Sequence, residues 1–432
     1  MSKVAFYTLG CKVNQDETDS LAQLFKQHGY FVVDFTDKAS VYVINTCTVT
    51  QAGSRKSRQM IRRAVRNAPD SLVVVTGCYS QTASEEVAKI PGVDLIVGND
   101  KKHLIVDLVN QKEKSEDKIM VSPRQNLSEF YNLPIPAERK RKRATLKIQE
   151  GCDNFCTYCI VPFARGPIRS KPLDEVLDDV KKLIDEGFKE VVLTGIHLGS
   201  YGRDNDNATS LADVVNRLGE VEGLKRVRLS SVEPTDFDED LLKAIEASPN
   251  LCNHFHIPLQ NGSDAILEKM GRKYDSQFYL NIINKVRSIK KDAAITTDIM
   301  VGFPSESEDN FDENIELVKK VRFSDIHVFK YSLREGTKAS KMSNQVPSDI
   351  KDIRSKKLTA LANELKEEYN QKFIGKELDV LFEQHSNGWV FGHSSNYIKV
   401  YCAKKKDIIG DLRSVSIKDL QDDGVFGEIK GM

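Results

Sequence analysis

Three cysteines lie close together in the middle of the sequence, at Cys152, Cys156 and Cys159. Three thiolates at this spacing can converge on one metal centre. A tetrahedral structural zinc site needs four ligands, however, and the neighbouring sequence offers no fourth Cys or His. An iron–sulfur cube held by three cysteines would leave one iron open to a substrate. The spacing therefore favours a catalytic cluster over zinc, and over buried cysteines without a ligand role.

Three further cysteines, Cys11, Cys47 and Cys78, are far apart in sequence but share one context. Each follows a short, β-branched apolar run of the kind that forms a buried parallel strand. The loops at the carboxyl ends of neighbouring strands meet at a crevice in an open α/β sheet. We therefore expect these thiols to hold a second three-cysteine cluster, the alternative being small apolar residues packed at strand ends. Cys252 and Cys402 are not part of either cysteine pattern and are predicted to be structural.

The segments that position these cysteines follow three patterns. Residues 1–110 alternate apolar runs with helical spacing, which predicts an open α/β domain. A segment rich in charge and proline, 111–143, is interpreted as a linker. Residues 144–370 contain six strand-like runs separated by amphipathic segments, too few for an eight-stranded barrel, so we expect a partial (βα)6 barrel with its site at the strands' C-terminal ends. Short strands and turns over 371–432 predict a small all-β barrel.

Composition limits the classes of protein to which the chain can belong. Lys plus Arg and Asp plus Glu both number 63, so a nucleic acid would have to be bound by local patches of charge. No apolar run approaches the roughly 18 residues of a membrane span, and charged residues interrupt the N-terminus where a signal peptide would need an apolar stretch. We therefore expect a cytoplasmic protein. Its eight cysteines are then candidates for metal or redox sites rather than a disulfide framework.

With these residues in view, the chain resembles the methylthiotransferases of the radical S-adenosylmethionine superfamily over essentially its whole length. The resemblance rests on the order of a three-cysteine N-terminal domain, the C-x-x-x-C-x-x-C loop and a C-terminal TRAM-like domain. The segments 9–15 and 392–400 are similar to the branch acting on N6-threonylcarbamoyladenosine in tRNA, although Asp16 stands where an aromatic residue is expected. The alternatives are the branches acting on isopentenyladenosine in tRNA or on a ribosomal protein, and a zinc-stabilised RNA-binding protein without catalysis.

The resemblance implies a flavodoxin-like N-terminal domain, a partial barrel of the radical S-adenosylmethionine type and a TRAM barrel. It also implies two 4Fe-4S clusters and S-adenosyl-L-methionine as cofactors, with an electron donor such as a flavodoxin or ferredoxin. The cluster on Cys152, Cys156 and Cys159 would cleave S-adenosylmethionine, and the resulting radical would abstract hydrogen from adenine C2 at tRNA position 37. The auxiliary cluster on Cys11, Cys47 and Cys78 would carry or deliver the sulfur.

Contacts to S-adenosylmethionine are predicted on the rim of the barrel, because polar residues at strand ends of such barrels are often functional. The alternative for each is a turn or a helix cap, particularly for Ser231 and Asn261. The role of His197, which also follows a strand, stays open. The predicted contacts are Thr194, Gly195, Ser231, Glu233, Gln260 and Asp298, with Asn261 next to them.

An RNA-binding surface is predicted on the segment 55–66, which contains six basic residues and no acid. Arg55, Arg58, Arg62 and Arg66 recur at helical spacing along one face, as a stripe contacting phosphates would, whereas a solvated helix face is the alternative. Further candidates are the basic run 139–143 and, in the last domain, Lys399 with 404–406. The anticodon loop suits such recognition because its bases are unstacked and exposed.

Overall fold

The computed structural model describes most of the chain. The described residues are 2–112, 117–136, 141–204, 209–403 and 407–431. The basic residues 139–140 and 404–406, which were candidates for RNA contact, lie outside these ranges. None of the described helices is long and apolar enough to cross a membrane.

The N-terminal domain is a parallel sheet with helices on both faces. Its strands are β1 (Lys3–Thr8), β2 (Phe31–Val33), β3 (Val41–Thr46), β4 (Leu72–Gly77), β5 (Leu95–Val97) and β6 (Ile119–Met120). Its helices are α1 (Lys12–Gln27), α2 (Gln51–Asn67), α3 (Cys78–Thr82), α4 (Ser84–Ala88) and α5 (Ile105–Gln111). The strand order β2-β1-β3-β4-β5-β6 confirms the flavodoxin-like prediction.

The apolar runs of this sheet are continuous because each central strand is buried on both faces. In β3, Val41 and Val43 join the core beneath α1 and α5, whereas Tyr42 and Ile44 join the core beneath α2 and α4. Both cores press on the same three neighbouring strands, β1, β3 and β4. The carboxyl ends of these strands are therefore fixed side by side.

The linker predicted over 111–143 is wrong in part. Ile119 and Met120 form β6, which pairs with Ile96 and Val97 at the edge of the N-terminal sheet. Leu127 of the same segment is fully buried. The charges and prolines suggested an open connection, but two apolar residues are enough to extend a sheet when a neighbouring edge strand is available.

The central domain contains most of the α-helices among the described residues. Its strands are β7 (Ala144–Glu150), β8 (Arg169–Ser170), β9 (Glu190–Gly195), β10 (Arg226–Leu229), β11 (His254–His256), β12 (Ala294–Val301) and β13 (Asp325–Lys330). Its helices are α6 (Val161–Arg165), α7 (Leu173–Asp185), α8 (Leu211–Gly219), α9 (Glu239–Ala247), α10 (Asp264–Met270), α11 (Ser276–Ile289) and α12 (Glu308–Val321).

Six of these strands form an open arc in the order β7-β9-β10-β11-β12-β13, which confirms the partial barrel. All the strand pairs of the arc are parallel, and single bridges join β10 to the β11 segment. The short β8 pairs antiparallel with β7 at the edge and was not predicted. Since the helices cover the outside of the arc, its polar residues collect at the carboxyl ends of the strands and in the interior.

The C-terminal domain follows the long helix α13 (Ser348–Gln371). Its strands are β14 (Glu377–Ser386), β15 (Trp389–Ser394), β16 (Lys399–Ala403), β17 (Leu412–Gln421) and β18 (Gly424–Ile429). They close into a barrel in the order β14-β15-β16-β18-β17, as predicted for a small all-β module. The sequence did not reveal β18, because Gly424 and Gly427 interrupt its apolar pattern; both lie where a Cβ would meet a neighbouring strand.

Buried charge fixes this small barrel to the central domain. Glu190 accepts a hydrogen bond of 2.7 Å from Arg228 Nε, and Arg226 and Arg228 donate onward to carbonyl oxygens of the small barrel. Burial alone would favour neutral Glu190, but Arg228, Arg143 and Arg226 lower the pKa of its carboxyl group to about 2. The ring of Tyr397 stacks 4.7 Å from that of His254 at the same junction.

Candidate cluster sites and the cleft between them

The N-terminal thiols meet at the carboxyl edge of the sheet. Cys11, Cys47 and Cys78 follow β1, β3 and β4, which are neighbours, and Cys47 and Cys78 both interact electrostatically with Cys11. We call these residues the N-terminal trio. Burial raises the pKa of Cys78 to about 11 and also raises that of Cys47. Burial therefore favours the neutral thiols of Cys47 and Cys78, and a metal centre bound there would replace their protons.

A tight turn at Gly10 brings Cys11 next to Cys47. Gly10 has a φ of +102°, which an L side chain rarely adopts, and a Cβ there would lie 3.0 Å from Cys47 Cβ. The side-chain amide of Asn14 donates to the carbonyl oxygens of Leu9 and Thr46, at 2.7 and 3.0 Å. These contacts hold the two loops together, so the position of the thiols depends on the sheet itself.

The barrel thiols lie on one loop between β7 and α6. We call Cys152, Cys156 and Cys159 the barrel trio; they interact electrostatically with one another. Burial raises the pKa of Cys159 to about 12. The loop begins at Gly151, where a Cβ would lie only 1.7 Å from the Pro167 carbonyl oxygen, so only glycine allows this approach.

Nitrogen donors point at sulfur atoms in both trios. Arg272 donates to Cys156 Sγ at 3.4 Å, and its guanidinium is held by Glu233. The Nδ1 atom of His197 lies 3.8 Å from Cys152 Sγ, while its Nε2 atom is 2.7 Å from a carboxylate oxygen of Asp236. Although burial opposes the charged ring, the hydrogen bonds to Asp236 and Cys152 raise the pKa of His197 to about 10.

Arg165 joins the two domains and reaches the N-terminal trio from α6 of the barrel. Its Nε donates to Cys78 Sγ at 3.2 Å, and its terminal nitrogens bind Glu17 at 2.6 Å and Glu150 at 3.2 Å. The side chain is fully buried. A buried guanidinium in this position fixes the two cysteine loops relative to each other.

A cleft of about 1070 Å³ opens between the N-terminal domain and the barrel. Thr48, Tyr79 and Ile160 line it, and each directly follows a cysteine of one of the trios. The cleft therefore borders both predicted cluster sites. Its N-terminal wall carries Arg55 and Arg58, and its barrel wall carries apolar side chains together with Arg334 and Glu335. The other residues that line it include Arg55, Arg58, Glu86, Phe163, Leu333, Arg334 and Glu335.

The sequence matches the family described as "Uncharacterized protein family UPF0004" over residues 3–98 and the "Radical SAM superfamily" over residues 146–318. It is 42% identical over 424 residues to a protein of Bacillus subtilis (strain 168) named "Threonylcarbamoyladenosine tRNA methylthiotransferase MtaB", covering 96% of this chain and 94% of that one. The chain belongs to the radical S-adenosylmethionine methylthiotransferase family. A relative of the same name from Aquifex aeolicus (strain VF5) is 43% identical over 88% of this chain and 92% of its own.

Other members of the methylthiotransferase family and more distant structures also match. A "tRNA-2-methylthio-N(6)-dimethylallyladenosine synthase" of Clostridium botulinum (strain Loch Maree / Type A3) is 35% identical over 98% of this chain and 95% of that one. The radical S-adenosylmethionine methyltransferase TsrM from Kitasatospora setae, solved with cobalamin and a [4Fe-4S] cluster, has a TM-score of 0.61. It is 14% identical over 79% of this chain and 74% of its own, so it shows the fold alone.

The two trios of this methylthiotransferase suit the cofactors of its family, which are S-adenosylmethionine and two four-iron clusters. Around Arg165, three cations form ion pairs with two carboxylates. The cations are Arg165, Lys102 and Lys147, and the carboxylates are those of Glu17 and Glu150. One positive charge is thus left beside Cys78 to offset anionic sulfur. No group of three or more Cys, His, Asp or Glu among the described residues is arranged around a single metal ion. Ligands of a cluster, by contrast, bind different irons and stand farther apart.

The predicted cofactor contacts at the end of β9 lie directly beside the barrel trio. Gly195 packs on Gln149, which a Cβ at Gly195 would approach to 2.9 Å, and Thr194 is buried in the preceding position. Gln149 donates to the Gly151 carbonyl at 2.8 Å and accepts from the His197 amide at 2.7 Å. The end of β9 is therefore fixed to the start of the cysteine loop. Thr194 and Gly195 stay predicted cofactor contacts.

Glu233 and Ser231 lie beyond the end of β10. Glu233 reaches the barrel trio through Arg272, the guanidinium that donates to Cys156. Ser231 is exposed and continues the parallel pairing toward β11. Both stay predicted contacts of S-adenosylmethionine.

Gln260, Asn261 and Asp298 lie farther round the arc. Asn261 is fully buried and hydrogen-bonds within its own turn, which matches the structural alternative. Asp298 is 3.4 Å from both His256 and His327, and although burial favours its neutral form, these partners hold its pKa below the usual range. Gln260 has a positive φ and pairs with β12. Gln260 and Asp298 stay predicted contacts.

The basic stripe predicted for RNA lies on the outer face of α2. Arg55, Arg62 and Arg66 are exposed, while Arg58 is half-buried and donates to the Tyr79 hydroxyl at 3.0 Å. Since Arg55 and Arg58 also line the cleft, the stripe leads from solvent to the two trios. Lys399 differs, because its ammonium pairs with Asp423 at 3.1 Å on the surface of the small barrel.

Sequence reasoning missed the charged side chains that serve the thiols. Arg165 and Arg272 carry no motif in isolation, although Arg165 follows Cys159 closely enough to share its loop. His197 was recognised as a residue after a strand, but its partner Asp236 belongs to a different βα unit. Arg334 enters the cleft from the segment after β13. Contacts of this kind join residues far apart in the chain, so only the fold reveals them.

Proposed function

We propose that this chain is a tRNA methylthiotransferase that converts N6-threonylcarbamoyladenosine at position 37, next to the anticodon, to its 2-methylthio derivative. The observation that carries the proposal is the cleft, because its lining includes the residues that follow Cys47, Cys78 and Cys159. Relatives named for this reaction are 37–43% identical, whereas those named for dimethylallyladenosine are 34–35% identical. This difference supports the threonylcarbamoyl branch.

The proposed reaction divides between the two trios. The chemistry that a four-iron cluster supplies at the barrel trio is reductive cleavage of S-adenosylmethionine, which yields a radical able to break the unpolarised C2–H bond of adenine. Arg272 and His197 direct N–H groups toward Cys156 and Cys152, and such hydrogen bonds to ligand sulfur raise a cluster's reduction potential. The N-terminal trio, across the cleft, is proposed to hold the cluster that delivers sulfur, with Arg165 fixing its position.

The walls of the cleft suit an unstacked nucleotide of an RNA loop. On the N-terminal side, the stripe on α2 offers guanidinium groups to the phosphate backbone. On the barrel side, the exposed Phe163 lines the cleft. The exposed ring of Phe155 lies 5.7 Å from it, edge to face, next to the cleft, with the guanidinium of Arg124 over the Phe155 ring. Exposed aromatic rings next to cations are typical platforms for unstacked bases. We therefore propose that the anticodon loop enters between these walls.

The proposed partners follow from the reaction. Cleavage of S-adenosylmethionine consumes an electron, so an electron donor such as a flavodoxin or ferredoxin is required. The substrate is tRNA, which places the proposed reaction in the cytoplasm. Water and oxygen must be kept from the reacting groups, and closure of the cleft by the bound anticodon loop would achieve this.

The test compares the modified nucleosides of tRNA, by mass spectrometry, in strains with and without this protein. We expect the 2-methylthio derivative of threonylcarbamoyladenosine to disappear and its precursor to accumulate, with recovery when the wild-type chain is restored. Persistence of this derivative would overturn the assignment to the threonylcarbamoyladenosine branch. Loss of a 2-methylthio derivative of dimethylallyladenosine instead would favour the dimethylallyladenosine branch. The protein purified without oxygen should contain about eight irons. A colourless protein that contains zinc and no iron would overturn the proposal that this chain is an enzyme.

A further inference from the structure

Arg334 is a cation in the cleft without a carboxylate partner. Its terminal nitrogens donate only to hydroxyl groups, to Ser54 Oγ at 3.1 Å and to Thr48 Oγ1, and its Nε is buried without a hydrogen-bond partner. Within the described part of the chain it forms no ion pair with Asp or Glu. Its side chain lines the cleft. The hydroxyl contacts fix the guanidinium, while Glu86 of the same cleft acts on it electrostatically but forms no ion pair with it.

Most of the buried arginines among the described residues differ in this respect. Arg169 is the exception, but it donates to the Arg165 carbonyl oxygen and does not line the cleft. Arg165 pairs with Glu17 and Glu150, Arg228 with Glu190, and Arg272 with Glu233. A buried or half-buried cation without such a counter-ion is costly, and an anionic ligand would offset that cost. The cleft therefore presents a preformed site for an anion at Arg334.

The position of Arg334 relates this site to the reacting base. Thr48, which accepts from Arg334, directly follows Cys47, and the Arg334 guanidinium interacts electrostatically with the Cys47 thiol. Ile160, which follows Cys159, lines the same cleft. If the C2 atom of an adenine lies between the two trios, the substituent on its N6 lies inside this cleft. Only the ring nitrogen N1 separates C2 from C6, the carbon that carries N6.

The substituent of the proposed substrate carries the matching charge. A threonylcarbamoyl group is attached through the amino nitrogen of threonine, which leaves the carboxylate free, whereas a dimethylallyl group is uncharged and apolar. Guanidinium groups bind carboxylates through two parallel hydrogen bonds. We propose that Arg334 binds the carboxylate of the threonylcarbamoyl group and so determines which modified adenosine enters the cleft. This inference rests on the proposed function.

Other cations near the cleft are less suited to this role. Arg58 is held by the Tyr79 hydroxyl, which in turn donates to Glu86 at 2.8 Å. Arg55 is exposed on α2, where a phosphate of the backbone can reach it. Arg334 is more enclosed than Arg55 and is fixed by two hydroxyls, as a residue that selects a small group must be.

The test measures binding of two forms of one tRNA, with threonylcarbamoyladenosine or unmodified adenosine at position 37, to the anaerobically reconstituted protein. The wild-type chain should prefer the modified form. Arg334→Gln should weaken binding of the modified tRNA by about tenfold or more, the effect of one charge-assisted hydrogen bond, and leave the unmodified form nearly unchanged. Arg334→Lys should retain part of the preference. Equal weakening of both forms, or no change in either, would overturn the inference.

Arg62→Gln is the matched control, because Arg62 is exposed on α2 and does not line the cleft. It should weaken both forms equally. If Arg334→Gln retains the wild-type iron content, its N-terminal trio is intact. A purely structural defect would weaken binding of both tRNAs and would not change the selectivity between them. If the wild-type chain methylthiolates threonylcarbamoyladenosine while Arg334→Gln keeps its preference, this inference alone fails. If the wild-type chain acts only on another adenosine, the proposed function fails.

Discussion

The two sides of the cleft reach the same arrangement of thiols by different routes. On the barrel side, the three cysteines lie on one loop whose shape is set by Gly151 and by backbone hydrogen bonds such as that from Cys152 N to Gly166 O, 3.0 Å. On the N-terminal side, each cysteine follows a different strand, and the trio exists only because β1, β3 and β4 are neighbours. One site is local, and the other depends on the tertiary fold.

This difference indicates where each site is vulnerable. The barrel trio can keep its shape as long as its loop is intact, whereas the N-terminal trio depends on strand register and on the turn at Gly10. Arg165 adds a further dependence, because a side chain of the barrel donates to Cys78 of the N-terminal trio. The N-terminal site is thus completed only when the two domains are docked.

The largest expected effect comes from removing one cysteine on each side. Cys156→Ala and Cys47→Ala should each reduce the iron content from about eight to about four per chain, since each removes a ligand of a different cluster. Cys156→Ala should abolish cleavage of S-adenosylmethionine, whereas Cys47→Ala should retain cleavage and lose sulfur insertion. Iron analysis and chromatographic detection of 5′-deoxyadenosine measure these outcomes.

Cys252→Ala provides the control, because Cys252 is buried in the barrel away from both trios and should leave the iron content at the wild-type value. Equal loss of cleavage in Cys156→Ala and Cys47→Ala would contradict the division of labour between the two sides.

A smaller effect is expected from the two arginines that donate to sulfur. Arg165→Met should destabilise the chain by roughly 3 kcal/mol, because it leaves the buried carboxylates of Glu17 and Glu150 and the thiol of Cys78 without their cationic partner. Arg272→Met should cost only about 1–2 kcal/mol, since its partner Glu233 is about one-fifth exposed and can be rehydrated. Thermal unfolding of the cluster-free proteins compares the two midpoints. A larger loss in Arg272→Met would show that the N-terminal side does not depend on docking as argued.

The same difference explains what the sequence predicts well. The barrel trio is visible in the sequence because its three cysteines lie within the short segment 152–159. The N-terminal trio was predicted from three strand ends, which required the correct fold class as an intermediate step, and the sheet order then placed the cysteines side by side. Short strands such as β6 and β8 were missed because two residues carry too little pattern to compete with the charges around them.

The charged partners were not predictable, for a physical reason. Arg165, Glu17 and Lys102 stand on three different elements, and their pairing depends on how the N-terminal domain docks on the barrel. A single sequence gives the charge of each residue but not its neighbour. Lys399, which stays a predicted RNA contact, also pairs with Asp423 of its own domain, and the sequence alone did not show this partner. Long-range electrostatics therefore set the limit of the sequence-based prediction.

The smallest effects should distinguish the basic stripe on α2, which lies outside the cleft at Arg62, from the aromatic wall of the cleft. Arg62→Gln should reduce the slope of log K against log salt for tRNA binding by about 0.7–0.9, the value for one phosphate contact. Phe163→Ala should leave that slope unchanged and weaken binding by roughly 1 kcal/mol at every salt concentration, because stacking releases no counterions. Binding titrations over a range of salt concentrations measure both. If Phe163→Ala lowered the slope as Arg62→Gln does, the basic stripe and the aromatic wall would not bind tRNA in the different ways that their side chains indicate.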